Sequence, residues 1–583
     1  MNLMKILKGI PVASGVAIAR PFLLEREGVA CPLRRSLSDA EVERDVKQFK
    51  EAVARTADGI RRTKDKLVRR VGRGHGAILD AHLMILKDPL FVDAPIEQTR
   101  REHVNINWAF YQTMQKFAAL VASVGDAYLR ERTNDVEDVG WQVLKYLAGG
   151  EKRSLRQLKE PVIVIADDLT PSETADIPRD KVVGFATLTG SRTSHTAIIA
   201  QALEIPALVG VAGLRDVAVG EGLVILDGAE GVLILDPDEE TLELYRRQQR
   251  VSVQRRKDLR KMTSLKTETT DGRAVGLLAN LELPVEVPAA LHGGAEGIGL
   301  FRTEFLFLNR DTIPDEQEQF QWYRKVVQQM APRPVVIRTL DVGGDKFLKS
   351  AGEAREMNPF LGLRGIRLSL AHRELFRSQL RAILRASEYG KVEIMFPLIS
   401  SVEEFRLART AVEEAMVELR SEKAKFDEKI PIGAMIETPA AALMSDLLAR
   451  EARFFSVGSN DLIQYSIAVD RGNISASYLY QPLHPAILRL VRMIIDMAHA
   501  SKINVTVCGE IAADPLAGAL LIGLGVDALS VSPVSLTETK RLVRSTSYAE
   551  ARAIAGEALT LPTAQTVREL VSGRLGTRGA PAS

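Results

Sequence analysis

Apolar residues near the start of the chain form a run that Gly9, Pro11 and Gly15 interrupt. That pattern predicts strand, turn and strand over residues 8–21 rather than a cleaved leader. The period then changes. Val42, Val46, Phe49, Val53, Ile60 and Leu67 recur at spacings of four, three and seven behind Ser38 and Glu41. This is one buried helix face entered through a capping box. Helical spacing is also predicted over 76–86, 107–122 and 137–147, so this region reads as a helical bundle inserted into another fold. Strand texture resumes at 162–165 and 182–186, where every residue is apolar or small. A helix is predicted over 196–203, then a hairpin of 224–226 and 232–235 around Asp227-Gly228. The expected N-terminal domain is therefore β/α, built from 1–33 and 151–238, with 34–150 as a helical subdomain inside it. Residues 239–261 form a charged helix without a strong apolar face, the centre of a helical linker over 239–265.

From 266 to 571 short apolar stretches alternate with helices. Strands are predicted at 275–281, 297–300, 334–338, 362–368, 392–397, 430–436, 454–457 and 504–507. Eight strands with intervening helices over this length predict a TIM (β/α)8 barrel, so the chain as a whole is α/β. The stretch 572–583 is rich in glycine and alanine and is expected to be a disordered tail.

Composition narrows the class. A chain of 583 residues exceeds one compact core. The formal net charge of +2 gives no reason to expect nucleic acid or a membrane surface. Arg61, Arg62, Lys64, Lys66, Arg69 and Arg70 are interspersed with apolar residues and read as a solvated helix face. Two cysteines, Cys31 and Cys508, exclude a disulfide framework and point to a reducing, cytoplasmic compartment. The apolar run 516–526 is too short to span a bilayer.

Candidate chemistry lies at the ends of the predicted barrel strands, where such barrels carry their active sites. The second runs into Arg302-Thr303-Glu304, and the third ends in Arg338-Thr339-Leu340-Asp341. The sixth ends in Glu437, the seventh in Asn460-Asp461 with Arg471 following, and the eighth in Cys508-Gly509-Glu510. Arginine forks bind phosphate and carboxylate oxygens in pairs, so Arg302, Arg338 and Arg471 suit a small, highly anionic ligand. Glu437 and Asp461 offer the hard oxygen ligands that Mg2+ prefers. A magnesium ion with several arginines is what stabilises charge on a phosphoryl group in transfer. Cys508 reads either as a small core residue or as a proton donor to an enolate carbon.

Among the histidines, His195 stands in Gly190-Ser191-Arg192-Thr193-Ser194-His195-Thr196, a small-residue loop opening into a helix. Helix N-termini favour anions, so a phosphohistidine fits there, with Thr174 fixing the other ring nitrogen. A buried, satisfied core histidine is the alternative, and the local sequence does not separate the two. His82 lies on a predicted helix and reads as structural or interfacial.

The segments at 190–198, 299–307, 337–346, 435–439, 458–462 and 508–510 resemble the enzyme I family of the phosphoenolpyruvate-dependent sugar phosphotransferase system. The resemblance covers nearly the whole chain. It implies phosphoryl transfer from phosphoenolpyruvate to the enzyme's own histidine, with release of pyruvate, and then to the carrier protein HPr. His195 matches the phosphorylated histidine. Arg302, Arg338 and Arg471 match arginines that grip the substrate phosphate, and Arg364 matches a further active-site arginine. Asn460 and Asp461 match the pair that touches substrate, with Asp461 and Glu437 holding Mg2+. Cys508 matches the residue that protonates the enolate. The resemblance further implies that the helical insertion docks HPr and that the barrel forms a homodimer. Ser191 and Gln201 depart from the family's glycine and arginine. The absence of a sensor domain before the first strand points toward the sugar branch rather than a nitrogen-type one. An ATP-linked pyruvate dikinase would share the histidine and barrel domains, but no Gly-x-x-x-x-Gly-Lys-Ser/Thr loop occurs. A non-catalytic sensor of phosphoenolpyruvate is disfavoured by the intact catalytic set.

Overall fold

The first apolar stretch folds into three strands, Lys5–Lys8 (β1), Ile10–Ala13 (β2) and Val16–Leu24 (β3). The computed structural model describes the chain apart from residues 1–3, 14, 25–31, 72–81, 124–135, 137–138, 145, 148–157, 159, 168, 170–177, 179, 191–204, 215–221, 308–312, 344–357, 471–472, 474–475 and 576–583. The side chains of 63–71, 117–123, 252–260, 477 and 575 are likewise outside the description. The chain divides into two compact units, 1–256 and 257–583.

In the first unit β3 is long enough to serve two sheets of different character. Its first half, Val16 to Ala19, runs antiparallel to Val224–Asp227, and its second half, Arg20 to Leu24, runs parallel to Val162–Ala166. With Val162–Ala166 as β4, Val182–Thr187 as β5, Ala207–Val209 as β6, Val224–Asp227 as β7 and Val232–Leu235 as β8, the sheet order is β1-β8-β7-β3-β4-β5-β6-β2. The β7–β8 hairpin forms as its Asp-Gly signal predicts, with Asp227 Oδ1 accepting from the amides of Ala229 at 2.9 Å and Glu230 at 3.0 Å. Strand β6 was not expected, being only Ala207-Leu208-Val209 between segments without a periodic pattern. The helix predicted over 196–203 lies outside the described residues.

The inserted helices include Asp39–Val71, Pro89–Glu102 and Ile106–Ser123. Glu41 accepts from both the amide and the hydroxyl of Ser38 at 2.8 Å, so the predicted box closes through the glutamate. The helix Pro89–Glu102 was not expected, although its start is marked by Asp88, which caps the Leu90 amide, and by Pro89 in the first turn. In the core of the helical insertion Phe110 packs against Phe49 and Phe91, with ring centroids 4.9 and 5.1 Å apart. The charged helix runs over Glu239–Met262, and its first turns carry Leu242 and Tyr245 onto Ile225 and Ile234.

The second unit is a closed barrel of eight parallel strands, β9 to β16. They are Gly276–Leu281, Ile298–Phe301, Val335–Arg338, Val392–Phe396, Ile432–Ile436, Phe454–Val457, Asn504–Val507 and Ala528–Val531. Alternate residues face opposite ways, as the pleat requires. Val335 and Ile337 join the large core under the helices, whereas Val336, Leu300, Met395, Met435 and Cys508 form a small separate cluster. The strand count is as expected, but one member is not. Residues 362–368 are not a strand, because Gly365 at φ 57° ends the extended run and starts the helix Ile366–Ala371. The missing strand is β16, whose alternation of Ala528 and Ser530 with Leu529 and Val531 is too short to stand out behind the apolar helix Pro515–Leu524. The last described helix, Ala564–Leu575, continues past the predicted start of the tail at 572, and 576–583 lie outside the described residues. No helix among the described residues is long and apolar enough to cross a membrane.

Candidate active site at the barrel mouth

The C-terminal ends of the barrel strands bring together side chains that are far apart in sequence. Arg302 follows β10, Arg338 ends β11, Glu437 follows β13, Asn460 and Asp461 open the helix Ser459–Ile467 after β14, and Cys508 follows β15. Arg364 joins them from the segment after β11, where it forms an isolated antiparallel bridge with Gly343. His195, Thr174 and Arg471 lie outside the described residues.

Charge pairing at this mouth is dense. Arg338 is 8% exposed and reaches Glu304 through Nη2 at 2.9 Å and Asp341 through Nη1 at 3.0 Å. Burial works against its charge, but Glu304, Asp341 and Glu437 outweigh burial and raise its pKa. Arg364 bridges Asp341 and Asp461 with Nη2, 3.0 Å from each, and donates to Tyr465 Oη at 3.2 Å. Burial disfavours that cation too, and Asp341 and Asp461 again more than offset it. For Asp341 burial favours the neutral acid, yet Arg338 and Arg364 prevail and hold its carboxyl below the usual range. Arg302 is more open and pairs with Glu282 at 2.7 Å.

Asp341, Glu437 and Asp461 each place a ligand atom within 4.8 Å of the others. Glu437 is pushed up to about 8, by burial first and then by the Asp461 and Asp341 charges. Three carboxylates share a space without enough positive charge to keep all of them ionised, so the donor set suits a divalent cation. Glu437 is held by the Leu398 amide, which donates to Oε1 at 2.6 Å from a residue at φ 54°. Strained backbone of this kind persists where the surrounding structure over-determines it, often at functional sites. Gly458 leaves the room, since a Cβ there would come within 2.6 Å of Glu437 Oε2.

Two buried guanidinium donors remain without a described partner, Nε of Arg302 and Nε of Arg338. An orphaned N–H is costly unless a ligand accepts from it. Beside them Cys508 is 3% exposed and free of any disulfide. Burial pushes its thiol up and Glu437 adds to this, so it carries its proton at neutral pH. Asn460 exchanges hydrogen bonds with Glu510, donating to Oε1 at 3.0 Å and accepting from the Glu510 amide at 2.9 Å.

Sequence reasoning gave no role to Glu304, Asp341, Tyr465 or Asn280. Glu304 and Asp341 stood in the strand-end segments, and Tyr465 lies one helical turn after Asp461, which are the signals that mark them. Asn280 carries less signal; it donates to the Cys508 carbonyl at 2.8 Å and the Ser530 carbonyl at 3.0 Å, tying three strands together. Beneath the mouth Gln379 donates to Thr303 Oγ1 at 3.2 Å and accepts from the Leu340 amide at 3.0 Å, fixing the segment after β11.

Known proteins resemble this chain along its length. Family models match in three places: the PEP-utilising enzyme, PEP-binding domain over 256–548, the N-terminal domain over 8–132 and the mobile domain over 158–231. The phosphoenolpyruvate-protein phosphotransferase of Staphylococcus carnosus (strain TM300) is 39% identical over 567 residues, 97% of this chain and 98% of that one. The protein of the same name from Bacillus sp. (strain S) is 41% identical over 567 residues, again 97% of this chain and 98% of its own. A solution structure of Enzyme I (nEIt) is 37% identical, with a TM-score of 0.36, and covers 42% of this chain and 99% of its own.

Proposed function

The chain belongs to the PEP-utilising enzyme family, as a transferase among the phosphoenolpyruvate-protein phosphotransferases, and from that premise we propose that it phosphorylates its own His195 from phosphoenolpyruvate and passes the group to HPr. One observation carries the proposal: at a mouth that holds three clustered carboxylates, Arg302 and Arg338 each keep a buried Nε donor without a described partner. A small trianion and a divalent cation would together answer both needs.

Phosphoenolpyruvate meets Arg302, Arg338 and Arg471 through its phosphate oxygens, with Arg364 and Asn460 completing the contacts. Glu437 and Asp461 would hold Mg2+, which when bound neutralises anionic charge on the substrate. His195, its tautomer fixed by Thr174, attacks phosphorus in line. A nitrogen–phosphorus bond forms as the bond from phosphorus to the enol oxygen breaks, and the electron pair leaves with the enolate. Cys508 delivers its proton to the methylene carbon and pyruvate departs, after which solvent reprotonates the thiolate. The carrier docks on the helical insertion and takes the phosphoryl group from His195. The enzyme acts in the cytoplasm, as a homodimer formed through the barrel.

The test uses the purified full chain, HPr, Mg2+ and phosphoenolpyruvate labelled in its phosphate. Label should appear on the enzyme, move to HPr and be absent from His195→Ala. Label persisting on that variant would remove His195 from the mechanism.

A further inference from the structure

Asp341 is the third carboxylate of the cluster within 4.8 Å, and proximity alone would make it a third metal ligand. Counting its acceptors argues otherwise. An ionised carboxylate offers about four lone-pair sites. Oδ1 accepts from Nε of Arg364 at 3.2 Å and from its Nη2 at 3.0 Å. Oδ2 accepts from the same Nη2 at 3.0 Å and lies 3.0 Å from Nη1 of Arg338. Three guanidinium nitrogens thus make four contacts with this carboxylate, Nη2 of Arg364 being shared between its two oxygens, and the side chain is only 4% exposed. Glu437 and Asp461 are different. Among the described residues Glu437 accepts only the Leu398 amide, on Oε1, and Asp461 pairs only with Arg364, on Oδ2. Each keeps an oxygen for a cation.

We propose that Asp341 is a positioning residue that sets the spacing and direction of Arg338 and Arg364, and does not ligate the metal. This rests on the phosphoenolpyruvate reading of the same mouth. The Asp341 amide donates to Glu304 Oε1 at 3.1 Å, and that oxygen also accepts from Nη2 of Arg338 at 2.9 Å. Glu304 and Asp341 thus grip the two terminal nitrogens of one guanidinium and leave Nε as its unpartnered donor. Arg364, held by Asp341 on one side and Asp461 on the other, fixes the distance between the arginine pair and the metal-binding carboxylates. Without Asp341, Arg338 keeps only Glu304 as an ion-pair partner among the described residues and Arg364 only Asp461, so each guanidinium loses the contact that fixes its direction toward the substrate phosphate.

The experiment measures Mn2+ alone on the full chain, by electron paramagnetic resonance for affinity and by water-proton relaxation for the number of metal-bound waters. KM and kcat with phosphoenolpyruvate are measured in parallel. Glu437→Gln should weaken Mn2+ at least about tenfold or open a further water position. Asp341→Asn should leave the bound-water count as in the wild type and raise KM at least about tenfold, with kcat changed less. A gained water in Asp341→Asn would make it a ligand and overturn the inference while leaving the metal site standing. Wild-type protein that binds no Mn2+ would overturn the site reading and this inference with it. Should Asp341→Asn fail to fold, Arg364→Gln keeps the carboxylate and removes most of its contacts. It should raise KM without weakening Mn2+, because a cation beside Asp461 has gone. Weaker Mn2+ binding in that variant would overturn the inference.

Discussion

Two clusters of arginine and carboxylate in the barrel unit are alike in composition and differ in what they leave over. Away from the mouth, Arg381, itself 6% exposed, ties its own helix to two neighbours through Glu316 at 2.6 Å, Glu418 at 3.0 Å and Glu422 at 2.7 Å. Arg385 and Arg377 close the same network onto Glu316 and Glu418. Every nitrogen of the Arg381 fork has an acceptor, and each carboxylate is partly open to water. At the mouth, Arg338 and Arg364 face Glu304, Asp341, Glu437 and Asp461, with an orphaned donor on one side and a carboxyl pushed up to about 8 on the other. The outer cluster is finished by the protein alone. The mouth is an unfinished one, short of a cation near its acids and of an anion near its arginines. Incompleteness, not the presence of charge, separates a binding site from a structural network.

The contrast can be broken most directly at Arg338. Arg338→Ala should lower kcat/KM about 10- to 150-fold, from the roughly 1.5–3 kcal/mol of a charge-assisted hydrogen bond. Pyruvate release at subsaturating phosphoenolpyruvate measures it, and an unchanged rate would make the mouth a second structural network. Metal affinity comes next. Because Glu437 must lose a proton to ligate and its pKa stands at about 8, Mn2+ should bind about tenfold tighter per pH unit between about 6 and 8. A flat titration would take Glu437 out of the ligand set.

A smaller effect sharpens the same point without metal. The Glu437 pKa is raised from 4.5 to about 8, so the folded state holds a proton that the unfolded state has lost across that range. Stability from this source is full below about 4.5 and falls as pH rises toward about 8. Thermal melts of the metal-free protein should show that slope, and Glu437→Gln should flatten it. The smallest change in activity is expected away from the mouth. Arg381→Ala should leave kcat/KM within about twofold and cost on the order of 1–3 kcal/mol of stability, because a buried guanidinium is lost while its partly open carboxylate partners can be rehydrated. A large loss of activity there would erase the distinction between the two clusters.

The barrel was legible because parallel strands buried on both faces are short apolar runs, and seven of the eight observed strands announced themselves that way. The eighth, β16, did not, because its inward Ala528 and Ser530 are small and only two of its residues are bulky. The charged strand ends were legible as well, since barrel geometry directs them to one rim. Their partnerships were not. A carboxylate such as Asp341, four residues into a strand-end segment, reads equally well as ligand, base or countercharge.

The sequence by itself determined the periodicities, and through them the β/α sheet with its helical insertion and the barrel, together with the residue types available at the rim. Tertiary structure decided which carboxylates Arg338 and Arg364 consume, which oxygens remain for a cation, and that Cys508 keeps its proton. The reason is physical. Local pattern reports whether a residue is turned inward or outward, whereas pKa and hydrogen-bond saturation depend on neighbours within a few ångströms, contributed by strands that lie far apart along the chain.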